Sequence, residues 1–128
     1  MTSFTTSRKF PRSAKELYDA WLDGDTHAAM TGGDARCEAH VDGEFEAWDG
    51  YIWGKNLELE DGKRIKQSWR TTEFADNDDD SVIELTFEEE GNGTTLTLVH
   101  TNIPEGQPDY NKGWDDHYFN PMTEYFSS

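Results

Sequence analysis

The stretch from Tyr110 to Phe126 does most to limit what this chain can fold into. Tyr110, Trp114, His117, Tyr118, Pro121, Met122 and Tyr125 recur at helical spacing and fall on one face, whereas Asp115, Asp116, Asn120, Thr123 and Glu124 fall mostly on the other. Such a helix is about 25 Å long at ~1.5 Å per residue. Each buried ring stabilises by roughly 1.5–3 kcal/mol, so a face this wide and aromatic needs a large concave partner. Pro121 removes one intrahelical hydrogen bond and is expected to kink the helix.

The middle of the chain supplies the partner. From Ala35 to Thr101 the hydrophobic period switches to two, which predicts strands at Ala35–His40, Gly43–Trp48, Tyr51–Leu59, Arg64–Thr71, Ser81–Glu89 and Thr94–Thr101. Short connections with turn chemistry (Asp42-Gly43, Asp49-Gly50, Asp61-Gly62, Asp76 to Asp80, Gly91-Asn92-Gly93) make these an antiparallel meander. Ile65, Gln67 and Trp69 share a face, as do Ile83, Leu85 and Phe87, and Leu96, Leu98 and His100. The alternate positions are polar, so the sheet has one dry and one wet face. Tyr51–Leu59 stays ambiguous, because Tyr51 and Trp53 oppose Ile52 and Gly54. Ahead of the meander, Phe4–Phe10 reads as a strand. Ser13-Ala-Lys-Glu16 is a capping box that opens a helix with Ala14, Leu17, Tyr18 and Trp21 inward, and Thr26 to Met30 reads as a second, short helix. The order strand, two helices, six strands, long helix defines an α+β fold in which a curved antiparallel sheet grips the last helix. At 128 residues, with no repeat or linker, residues 1–128 are expected to form one domain.

Charge narrows the partners. With 27 acidic and 11 basic residues the net charge is −16, a surface that repels phosphate backbones and anionic lipid. Neither nucleic acid nor a membrane surface is expected as a partner. One cysteine, Cys37, excludes an internal disulfide framework, and the N-terminus lacks a secretory apolar segment, so the expected location is the cytoplasm.

The known motifs of catalysis do not fit. There is no Gly-x-Ser-x-Gly elbow, phosphate loop or dinucleotide fingerprint after a strand. Asp76-Asn-Asp78-Asp-Asp80 opens like a calcium loop but has Ser81 where Gly is required and Phe87 where Glu is required. The histidines His27, His40, His100 and His117 have no metal-ligand spacing, so no metal, cofactor or catalytic residue is assigned. Trp69, Phe87, Leu98, Trp114, Tyr118 and Met122, with His100 and His117 in the same groove, form either a filled core or the lining of a ligand cavity between sheet and helix.

A set of ordered motifs then carries a family likeness: Gly43-Glu-Phe45, Trp48-Asp-Gly50-Tyr-Ile52-x-Gly54, Lys63-Arg-Ile65 with Ser68-Trp69-Arg70, Gly93-Thr94 with Leu96-x-Leu98-Val-His100, Ile103-Pro104, and Gly113-Trp114 with Tyr118-Phe119. From Phe4 to Phe126 the chain resembles the C-terminal domains of activators of the heat-shock-protein-90 ATPase, within the START-like (SRPBCC, helix-grip) superfamily. The resemblance implies the order β-α-α-β6-α and a cavity under the long helix that holds hydrophobic ligands in many relatives. It also implies that the main ATPase-stimulating contacts of the eukaryotic co-chaperones belong to a preceding domain, which is not expected here. Three functions follow in order: binding of a small hydrophobic or amphipathic molecule, a stress-related co-chaperone or interaction module, and a cyclase- or hydrolase-type enzyme with His100 or His117 as base and Tyr118 as donor. The protein is expected to be a monomer or homodimer.

Overall fold

In the computed structural model, which describes residues 2–107 and 109–127, the predicted element order is realised. Strand β1 (Thr2–Phe10) is followed by helices α1 (Ala14–Leu22) and α2 (Gly24–Thr31). Six strands follow: β2 (Arg36–Cys37), β3 (Glu44–Ala47), β4 (Ile52–Glu60), β5 (Arg64–Thr71), β6 (Ser81–Glu90) and β7 (Gly93–Ile103). The C-terminal helix comes in three parts, α3 (Tyr110–Trp114), a π-helical turn (Asp115–Phe119) and α4 (Asn120–Ser127).

Local chemistry sets the boundaries at the start of the chain. Ser13 Oγ accepts the Glu16 N–H at 3.2 Å and opens α1, and Asp23 Oδ2 accepts the Thr26 N–H at 3.2 Å and opens α2. Gly32, at φ 90°, closes α2 in the left-handed conformation that a side chain would resist. The segment expected as a strand over 35–40 is a strand at Arg36 and Cys37, after which the Glu38 N–H still donates to the Glu44 carbonyl at 3.0 Å. Beyond them the chain turns back, and the side-chain amide of Asn56 donates to the carbonyls of Glu38 and His40 at 2.7 and 3.0 Å.

All seven strands lie in one antiparallel sheet, ordered β1-β7-β6-β5-β4-β3-β2. Its register lays the dry face out in rows. Ile65 lies opposite Leu85 and Leu85 opposite Leu98, while Gln67 lies opposite Ile83 and Ile83 opposite His100. Ile65, Ile83, Leu85, Leu96 and Leu98 are wholly buried against Phe10, Leu17, Met30, Phe119 and Met122 from the first strand and the helices. Strand β4 resolves its ambiguity with Ile52 inward and Trp53 outward.

The C-terminal helix departs from a simple periodicity. Pro121 has no N–H to give the preceding turn, and its ring crowds the carbonyl one turn earlier. The chain answers with one residue extra per turn over Asp115–Phe119, where the Asn120 N–H reaches the Asp115 carbonyl five residues back. The buried face therefore advances by one residue after Tyr118. Phe119, Met122 and Phe126 are inside, while Tyr125, expected on that face, is 42% exposed. Arg8 of β1 clamps this segment, donating to Thr123 Oγ1 at 3.0 Å and Asn120 Oδ1 at 3.2 Å. Among the described residues no helix is long and apolar enough to cross a membrane.

Candidate functional site

Between the β3–β4 turn, β5 and the C-terminal helix lies an open cavity of about 460 Å³. Trp69 of β5 and Ile52 of β4 line it from the sheet; Tyr110, Gly113, Trp114, His117 and Tyr118 line it from the helix. Trp48 and Tyr51, either side of the turn, and Asp109 at the start of α3 complete it. The rings touch at varied inclinations: Trp114 to Tyr118 at 4.6 Å and 45°, Trp69 to Tyr110 at 4.9 Å and 79°, and Trp48 to Tyr118 at 6.3 Å and 78°.

Trp48 is held under strain. Its φ is +53°, followed by Asp49 at +59° and Gly50 at +92°. A bulky residue is costly in this region and persists only where its surroundings force it. Gly33 makes the placement feasible, because a Cβ there would come within 2.4 Å of the Trp48 ring. The buried Trp48 indole N–H has no hydrogen-bond partner among the described residues. The ring packs edge-on against His117 at 5.6 Å.

Four of the residues expected in the groove, Trp69, Trp114, His117 and Tyr118, line this cavity. Phe87, Leu98 and Met122 lie instead in the closed part of the core, Phe87 beside Tyr18 at 6.1 Å. His117, expected to face inward, sits exposed at the rim because the π-helical turn rotates it outward. His100 lies behind the cavity wall. Trp114 Nε1–H donates to His100 Nδ1 at 3.1 Å, His100 Nε2–H donates to Ser81 Oγ at 2.9 Å, and the Ser81 hydroxyl donates to the Trp69 carbonyl at 2.6 Å. This chain of donors assigns the proton to Nε2 and commits both ring nitrogens. Burial holds the imidazole neutral, with its pKa pushed down to about 3. With no free lone pair and no exposure, His100 in this arrangement supports the fold and offers nothing to a reaction. Burial likewise pushes the Tyr118 phenol well above its usual range, which keeps it protonated.

A second polar chain stiffens the neighbouring core. Trp21 Nε1–H donates to Gln67 Oε1 at 3.2 Å, and Gln67 Nε2 donates to Asn56 Oδ1 at 2.8 Å. His27 Nδ1–H donates to the Trp21 carbonyl at 2.9 Å and Nε2 faces the Tyr118 hydroxyl at 3.4 Å; burial lowers its pKa. The cavity residues absent from the expected lining are Trp48, Tyr51, Ile52, Asp109, Tyr110 and Gly113. Tyr110 was foreshadowed, standing one helical turn before Trp114 on the same face. Trp48 and Tyr51 have no periodic signal and are marked only by the Asp49-Gly50 turn and by the Trp48-Asp-Gly50-Tyr-Ile52-x-Gly54 motif around it.

An antiparallel sheet curled around a C-terminal helix, with an aromatic cavity between them, defines a helix-grip protein of the START-like class. Within that class the chain belongs to the family described as Activator of Hsp90 ATPase homolog 1-like protein, which it matches over residues 11–127. It is 28% identical over 123 residues to mouse activator of 90 kDa heat shock protein ATPase homolog 1, covering 95% of this chain and 36% of that protein. It is 30% identical over 118 residues to an uncharacterized protein of Schizosaccharomyces pombe, covering 91% of this chain and 35% of that one. The chain thus spans about a third of the length of these curated relatives. Among solved structures, that of an HSP90 activator from Plasmodium falciparum superposes with a TM-score of 0.89 at 22% identity, covering 99% of this chain and 97% of that one. The Aha1 dimer from Colwellia psychrerythraea gives 0.77 at 15% identity, covering 99% and 95%. At these identities the structural likenesses speak for the fold.

Proposed function

We propose that this protein binds a small, largely apolar molecule in the cavity between its sheet and its C-terminal helix. One observation carries the reading: a cavity of about 460 Å³ walled by aromatic rings, in the size range of small-molecule sites. A core that needed only stability would have covered these rings, because apolar surface left to water forgoes about 25 cal/mol per Å². The strained Trp48 at its edge fits the same reading, since backbone strain gathers at functional sites. The test is native mass spectrometry of protein purified from its own host, followed by organic extraction. A co-purifying apolar molecule supports the proposal. A clean unliganded mass, together with no rise in melting temperature from a broad lipid and metabolite screen, would sink it.

The second reading, a chaperone-interaction module, rests on the relatives, which are named as activators of the heat-shock-protein-90 ATPase. Its acidic surface would dock on a basic patch and release it as salt rises. A pull-down at low salt that recovers no chaperone counts against it.

A further inference from the structure

The charge pattern of the cavity is more specific than its apolarity. Its rings include three indoles, Trp48, Trp69 and Trp114, which meet one another and Tyr118 at inclinations between 42° and 78°. The exposed carboxylate of Asp109 stands at the rim, at the N-cap of α3. No lysine or arginine is among the described lining residues, and the whole chain carries a net charge of −16. Indole faces attract organic cations more strongly than any other side-chain ring does. An apolar cleft with one acidic rim group on an anionic protein raises the local concentration of cations and excludes anions. A fatty-acid carboxylate would sit beside Asp109 with no lysine or arginine to pair it, which costs desolvation without return.

We infer that the cavity is selective for an organic cation, a quaternary ammonium group joined to a compact apolar body. The inference rests on reading the cavity as a ligand site. A trimethylammonium head is strongly attracted to the indole faces and is weakly hydrated, so it gives up little water on entry. It fills only part of the space, and the body occupies the remainder against Ile52 and Tyr118.

The test compares two isosteres that differ in charge. Benzyltrimethylammonium and its neutral analogue 2,2-dimethylpropylbenzene are titrated into the full chain by tryptophan fluorescence at physiological ionic strength, which screens attraction beyond about 8 Å and leaves contacts at the rim. The cation is expected to bind about ten-fold tighter or more, the gain of desolvated cation–π contact over burial alone. Asp109→Asn keeps a residue that caps α3 through Lys112 N–H, so the fold is preserved while the rim charge is lost. It is expected to weaken the cation about five-fold and leave the hydrocarbon unchanged. Benzenesulfonate is expected not to bind.

If the hydrocarbon binds as tightly as the cation, selectivity for charge is overturned while the cavity remains a ligand site. Equal binding of cation and sulfonate overturns it as well. If neither isostere binds, the cation inference fails, and the native mass spectrum and ligand screen judge the cavity reading separately.

Discussion

Alanine at Phe126 and alanine at Tyr125 should have very different consequences, although the two residues are neighbours in the last turn. In an unbroken helix the face begun by Tyr110, Trp114 and Tyr118 would continue to Tyr125. The π-helical turn advances it to Phe126, which is 3% exposed, packs edge-on against Phe10 at 5.9 Å and lies 5.9 Å beneath the Arg12 guanidinium. Removing a buried Phe side chain costs about 3–5 kcal/mol, and the end of a helix can relax toward the lower figure, so about 3 kcal/mol is expected. Tyr125, at 42% exposure, should lose about 0.5 kcal/mol. At about 3–5 °C per kcal/mol for a chain of this length, the melting temperature should fall by about 9–15 °C for Phe126→Ala and by about 2 °C for Tyr125→Ala. Thermal unfolding and urea titration of both variants at neutral pH measure this, with an unchanged urea slope confirming that the same surface unfolds. Equal losses, or a larger loss at Tyr125, would refute the rotated face and with it the role given to Pro121.

Three further outcomes follow from the same structure. Trp114→Phe keeps most of the ring but leaves His100 Nδ1 buried without its donor, so it should cost about 2–4 kcal/mol by urea unfolding, whereas a loss below about 1 kcal/mol would show that the bond carries little. His100 has a folded pKa of about 3, below the ordinary value near 6.5 of the unfolded chain, so its contribution is fully present above about pH 6.5 and is lost as pH falls toward 3. Buried His27 acts in the same direction, and stability should drop by about 1–2 kcal/mol per pH unit between pH 6.5 and 5; a flat profile there would refute neutral burial of both rings. Sodium chloride should raise the melting temperature, because screening the repulsion of a net −16 outweighs the weakening of exposed pairs such as those of Arg64 with Glu58, Glu60 and Glu84; a fall with salt would reverse that balance.

The meander was readable where its strands declare a buried face by alternation, as at Ile83, Leu85 and Phe87, and where a short connection such as Asp61-Gly62 suits a tight turn; β2 and β4 gave no such clean alternation. The capping serine at Ser13 was equally plain. The position of the cavity was harder to see. Alternation says that Phe87, Leu98 and Trp69 point to one side of the sheet, but not that Phe87 packs on Tyr18 of α1 in the closed core while Trp69, against Tyr110 and Trp114, borders the open space. The rotation of the helix was also hidden, because a proline announces a missing hydrogen bond without saying whether the chain will bend or widen. Trp48 was obscured for a related reason: its place depends on a left-handed backbone and on the empty side of Gly33, neither of which leaves a periodic mark.

The pairing of β1 with β7 has a consequence for how the protein comes into being. Phe10 lies opposite Thr94 and Phe4 opposite His100, so the first of these seven strands to be made waits for the last. At roughly 5–20 residues per second on a ribosome, β1 spends on the order of five to twenty seconds without its partner. Closing so long a loop is slow, and an unpaired strand during that interval is open to other chains. Alternating Thr5, Ser7 and Lys9 on its outer side keep that nascent edge polar, so the segment can wait in water until β7 and the helix beyond it emerge.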